Sequence, residues 1–112
     1  MIMIDIEKIR DYTGGDDEFI LVLFDKFLAR LNDDLNVLAK ASEAKEWQDV
    51  RSKTHAMLSS ARIFFLEEIV ELSTKIEQDC EHQTTSDTPV SVKQLIELYK
   101  SARKEILTWK NT

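Results

Sequence analysis

The chain has little of what breaks a helix. Its 112 residues include two glycines and one proline. So few turn formers leave little room for hairpins and point to a few long helices joined by short links. Cysteine is limited to Cys80, which excludes an internal disulfide and any four-cysteine or two-cysteine, two-histidine zinc site. No apolar run approaches the ~18 residues a membrane span needs. The apolar stretch Met1–Ile4 is too short for the core of a signal peptide, and no small-residue cleavage site follows it. The cytoplasm is therefore the expected compartment, with no membrane partner. No glycine-rich loop is present to cradle the phosphates of ATP. Positive charge is in deficit: 15 Lys+Arg stand against 21 Asp+Glu, a formal net charge of −6. The cations are scattered as well, which argues against nucleic-acid binding.

What remains is an ordinary globular composition, 43% apolar and 32% charged, with room for a single domain over residues 1–112. Five helical segments can be read from it. A short one, about Asp5 to Tyr12, ends at Thr13-Gly14-Gly15, a C-cap and sharp turn. The second begins at the acidic run Asp16-Asp17-Glu18, placed where a helix N-terminus favours negative charge, and extends to about Ala44. Ile20, Leu23, Phe24, Phe27, Leu31, Leu35, Leu38 and Ala41 form its inward stripe. The third spans roughly Glu46 to Phe65. The fourth, about Glu67 to Glu81, carries Ile69, Leu72, Ile76 and Cys80 on one face. A polar loop from His82 to Pro89 follows, with Thr88 expected as N-cap and Pro89 at the first helical position. The last helix runs to about Lys110 on the stripe Val92, Leu95, Tyr99, Ala102, Ile106 and Trp109. Four long amphipathic helices bury one another most simply as an antiparallel four-helix bundle, with the short N-terminal helix as an extra element. The expected fold class is all-α.

Two histidines are the only side chains whose ordinary pKa lies near neutrality. His82 falls in the polar loop and reads as a solvated residue. His55 can be placed more closely. With ~100° of rotation per residue and Val50 set at zero, Thr54, Met57, Ala61 and Phe64 fall within ~40° and define the core face. His55 falls at ~140° and points to water. Its neighbours on that side are Arg51, Ser52, Leu58, Ser59 and Arg62. An exposed neutral imidazole between two arginines suits phosphoryl transfer through a phosphohistidine. The ring is a competent nucleophile near pH 7, and guanidinium groups can neutralise incoming phosphoryl oxygens. No carboxylate stands beside His55 in the sequence to serve as its partner.

These residues resemble a known family. Ile9-Arg10-Asp11-Tyr12-Thr13-Gly14-Gly15-Asp16, the long helix through Phe27 and Leu38-Ala39-Lys40-Ala41, the lead-in Trp47 to His55, and the segment Leu72 to Ile76-Glu77 are together similar to the histidine phosphotransfer (HPt) domain of two-component phosphorelays. The resemblance covers almost the whole chain. The family pattern at the histidine is commonly His-x-x-Lys-Gly, whereas this chain reads His55-Ala56-Met57-Leu58-Ser59. Leu58 thus stands where a Lys usually supports the phosphoryl group.

The resemblance implies a phosphocarrier rather than an autonomous enzyme. A receiver domain docks over His55, and the imidazole takes the phosphoryl group from its phosphoaspartate and hands it to a second receiver. Arg51, Ser59 and Arg62 are the expected phosphoryl-supporting residues, and Phe19, Val22, Ser52 and Leu58 the expected docking residues. No cofactor is expected on this domain, since the Mg²⁺ of the reaction belongs to the receiver. The expected partners are receiver domains, whether the domain is free-standing or joined to a hybrid sensor kinase, and the expected state is a monomer. Two alternatives stay open from sequence: a degenerate HPt-like bundle that binds a receiver without efficient transfer, and an unrelated helical adaptor or dimerisation domain.

Overall fold

Glycine, acidic caps and one unusual type of turn set the helix boundaries. A computed structural model describes residues 3–112; Met1 and Ile2, half of the apolar N-terminal stretch, lie outside the described residues. Helix α1 spans Ile6–Thr13, with the Asp5 carboxylate accepting from the Lys8 N–H. Gly14 closes it in the left-handed region at φ 62°, donating its N–H to the Arg10 carbonyl. Gly15 must also be small, because a Cβ there would come within 2.6 Å of Phe19 Cδ2. Asp16 then caps α2 (Asp17–Glu43) by accepting from the Phe19 N–H. Helices α3 (Trp47–Ile63), α4 (Glu67–Glu81) and α5 (Thr88–Lys110) complete the chain.

The links from α2 to α3, α3 to α4 and α4 to α5 share one device. Lys45, Phe65 and Gln83 adopt positive φ, between 54° and 60°. Immediately after each, the N–H of Glu46, Leu66 or Thr84 reaches back to the carbonyl of Ala41, Ala61 or Asp79, 2.9 Å away in every case. This is the Schellman pattern, here without glycine at the left-handed position. It explains how a chain with two glycines turns sharply four times.

The start of α5 differs from the sequence expectation. Thr88 is the first residue of the helix, not its N-cap, and Asp87 flanks it without a side-chain cap bond. The Thr88 side chain is fully buried, with its hydroxyl unpartnered, so it serves the core rather than the helix end.

Packing follows the predicted stripes, except that in α4 Ser73 is buried while Leu72 and Cys80 are only partly covered. Helix α2 lies between α3 and α5, and α4 closes the ring against α3 and α5. Cross-helix pairs show that neighbours run antiparallel. Asp25 pairs with Lys110 and Asn32 with Arg103 between α2 and α5, and His55 with Glu77 and Arg51 with Glu81 between α3 and α4. The 27 residues of α2 rise about 40 Å, which sets the 43 Å long axis of the molecule. An aromatic cluster fills the core near one end. Phe24 packs edge-on to Phe64 and Trp109, and Phe27 to Phe64, with ring centroids 4.9 to 5.5 Å apart. Helix α1 covers the α3–α4 turn: Tyr12 meets Phe65 edge-on at 5.3 Å and Lys8 sits 4.8 Å over the same ring. The chain before α1 is tied to α5, where the Glu105 carboxylate accepts from the N–H groups of Met3 and Ile4.

Candidate functional site

The rotation worked out for α3 holds along its length. Val50, Thr54, Met57, Ala61 and Phe64 are all buried. The His55 side chain is 71% exposed. It is not alone: Nδ1 lies 2.8 Å from Oε1 of Glu77, whose side chain is only 18% exposed. The expectation that no carboxylate stands beside His55 is therefore corrected. The partner comes from α4, which a reading of α3 alone cannot supply. A signal existed. His55 and Glu77 lie equally far on either side of Leu66, at the α3–α4 turn, and two antiparallel helices joined by a tight turn bring such positions level.

A carboxylate facing one ring nitrogen fixes what the other can do. A carboxylate only accepts, so Nδ1 is the donor to Glu77, and in the neutral ring the Nε2 lone pair faces solvent. The ring is held in one orientation, and a carboxylate waits beside any positive charge that develops on it.

Around this pair the structure separates the residues that sequence had grouped. Arg51 and Ser52 share a concavity of about 310 Å³ with His55 and Glu77. Arg51 is half-buried, and its nearest carboxylate oxygen, Oε2 of Glu81, is 4.0 Å away. Ser59 is exposed but faces a different groove, about 240 Å³, between α2 and α3. That groove has an apolar lining that includes Leu23, Phe27, Met57 and Ile63, with Lys26 and Arg30 beside them. Lys53 also lines it and is bound to Asp34 at 3.1 Å. Arg62 is exposed and lines neither concavity.

Leu58 requires a correction. It was expected on the docking surface, and it is 2% exposed. Helix α4 packs along the side of α3 that carries Arg51 and His55. Leu58 continues that line one turn on, so the short apolar side chain is covered while the longer polar ones reach past the contact. Phe19 and Val22 are exposed, at 45% and 49%, on the outer side of α2. Cys80 is half-buried rather than a full core residue, and burial pushes its thiol up, away from the reactive thiolate. Among the described residues no group of three or more His, Cys, Asp or Glu side chains could hold a metal ion, and no helix is long and apolar enough to cross a membrane.

A bundle that presents one oriented histidine from its second long helix has the layout of a phosphocarrier, and comparison with known proteins gives the family. The Hpt domain model matches residues 22–105, most of the chain. The fold is similar to the crystal structure of histidine-containing phosphotransfer protein B (HptB) from Pseudomonas aeruginosa PAO1, with a TM-score of 0.85 over 97% of this chain and 95% of that one, at 15% sequence identity. No curated protein sequence matches the chain. The chain belongs to the Hpt domain family, and its function is histidine phosphotransfer in a phosphorelay.

Proposed function

We propose that the chain acts as one domain with His55 as phosphoacceptor, passing a phosphoryl group between receiver-domain aspartates. The observation that carries this reading is the His55–Glu77 pair, a ring 71% exposed with Nδ1 held 2.8 Å from a largely covered carboxylate. The Nε2 lone pair attacks phosphorus in line. The bond from phosphorus to the aspartate oxygen breaks, and its electron pair leaves on the receiver's carboxylate. The product ring keeps its Nδ1 hydrogen and carries positive charge against Glu77. Return to a second receiver runs the same step backwards. The receiver supplies Mg²⁺ and most of the charge stabilisation.

The groove between α2 and α3 supports the docking half of the proposal. It borders His55 through Ala56 and Ser59, and its apolar lining with Lys26 and Arg30 beside it suits a protein surface of mixed character. Exposed Phe19 and Val22 extend the apolar area along α2. We infer a monomer working in the cytoplasm, either free-standing or as a module of a hybrid sensor kinase.

The test is transfer from a Mg²⁺-loaded, phosphorylated receiver to the wild type and to His55→Ala. Label on the wild type alone, stable to alkali and labile to acid, is the expected result. Equal label on both proteins would place the acceptor elsewhere, and binding without label would reduce the domain to a receiver-binding bundle.

A further inference from the structure

We propose that Arg51, with Ser52 beside it, binds the phosphoryl group once it is on His55, and that Arg51 leaves Glu81 to do so; this rests on His55 being the phosphoacceptor. A phosphoryl group brings nearly two negative charges at neutral pH and needs charge-assisted donors. The position three residues after His55, one place to look for such a donor, is Leu58, which is buried.

Three cations of α3 remain. Lys53 is turned to α2, with Nζ 3.1 Å from Asp34 and both side chains largely covered. Arg62 stands two turns beyond His55, outside its concavity. Arg51, one turn before His55, lines that concavity. Its Nε is buried and has no hydrogen-bond partner, a donor whose unsatisfied state costs free energy. The guanidinium touches Glu81 only at 4.0 Å, and the two side chains are 40% and 58% exposed. An exposed pair at that distance contributes little.

The guanidinium thus sits beside the reacting ring with an unused donor and a weak tie to another group. On phosphorylation it exchanges that tie for a doubly charged acceptor that its planar fork can bind through two N–H groups. The Ser52 hydroxyl, exposed in the same concavity, supplies a third donor. The cradle therefore lies on the N-terminal side of His55. Ser59 and Arg62, on the C-terminal side, are left to the docking partner.

The experiment uses phosphoramidate as donor, so that no receiver has to dock. Its P–N bond breaks, ammonia leaves, and the new P–N bond forms at Nε2 of His55. Labelling rates are compared for wild type, His55→Ala, Arg51→Ala, Arg51→Lys and Arg62→Ala, with circular dichroism confirming the fold of each. Arg51→Ala is expected to label about tenfold more slowly, the loss of one charge-assisted contact. Arg51→Lys, which keeps the charge but not the fork, should fall between wild type and Arg51→Ala, and Arg62→Ala should lose less than Arg51→Ala. In the wild type the Arg51 Nε–H resonance should shift on phosphorylation. Label on His55 with Arg51→Ala as fast as wild type, or with Arg62→Ala the slower of the two, would overturn the role of Arg51 and leave that of His55 standing. A wild type that labels no better than His55→Ala would overturn both.

Discussion

At the residue scale, Glu77 is to the imidazole what no residue of α3 could be. It is 18% exposed and 2.8 Å from Nδ1, so it holds the ring, and in the proposed transfer it offsets the charge that phosphorylation of His55 creates. Glu77→Gln keeps an acceptor for Nδ1–H but removes that charge. We expect it to slow transfer about tenfold with the fold intact, measured as the rate of label transfer from a receiver. A rate equal to wild type would make Glu77 only a packing residue. Leu58 gives the complementary test. Leu58→Lys restores the residue type common in the family, but at a position that is 2% exposed. It is expected to destabilise the fold by about 2 kcal/mol, the burial lost with one leucine, and to leave transfer no faster. Thermal melting and the same transfer assay check both parts.

At the element scale, the helix ends carry the strain. Lys45 and Phe65 both hold positive φ, which costs a side-chain-bearing residue roughly 1–2 kcal/mol. Phe65 has compensation from Tyr12 and Lys8 packed on its ring. Exposed Lys45 has none among the described contacts. Lys45→Gly should therefore stabilise the bundle by about 0.5–1 kcal/mol after glycine's own entropy cost, whereas Phe65→Gly should destabilise it. Denaturant unfolding midpoints of the two variants, moving in opposite directions, check the argument. The helices themselves were legible because their signals are local. Asp16 caps α2, and the stripe from Ile20 to Ala41 repeats at helical spacing. The N-terminus of α5 was not, because Thr88 has the chemistry of a cap and the burial of a core residue. Packing against the other helices outweighed the local preference.

At the scale of the whole molecule, the four long helices close a ring in which each buries its stripe against two neighbours. Core demand is met within one chain. The exposed large side chains Tyr12, Phe19, Val22, Val37, Val90 and Leu107 are spread over α1, α2 and α5 rather than gathered on one element. A protein of this kind is expected to sediment as a 13.0 kDa monomer. A concentration-dependent rise toward twice that mass would show that one of these residues lies in a self-association surface.

The order of residues settled what depends on neighbours along one helix: the all-α class, the inward stripes, the Gly14 turn and the outward direction of His55. Helical period and capping chemistry act within one or two turns, so they leave a trace in the chain itself. The tertiary structure alone decided what depends on which helix lies alongside. It brought Glu77 to His55 and covered Leu58. It also turned Lys53 toward Asp34, and it left the Arg51 guanidinium in the concavity of His55 with an unpartnered Nε. Each of these follows from the side of α3 that α4 or α2 occupies, and that is set by the packing of the whole core.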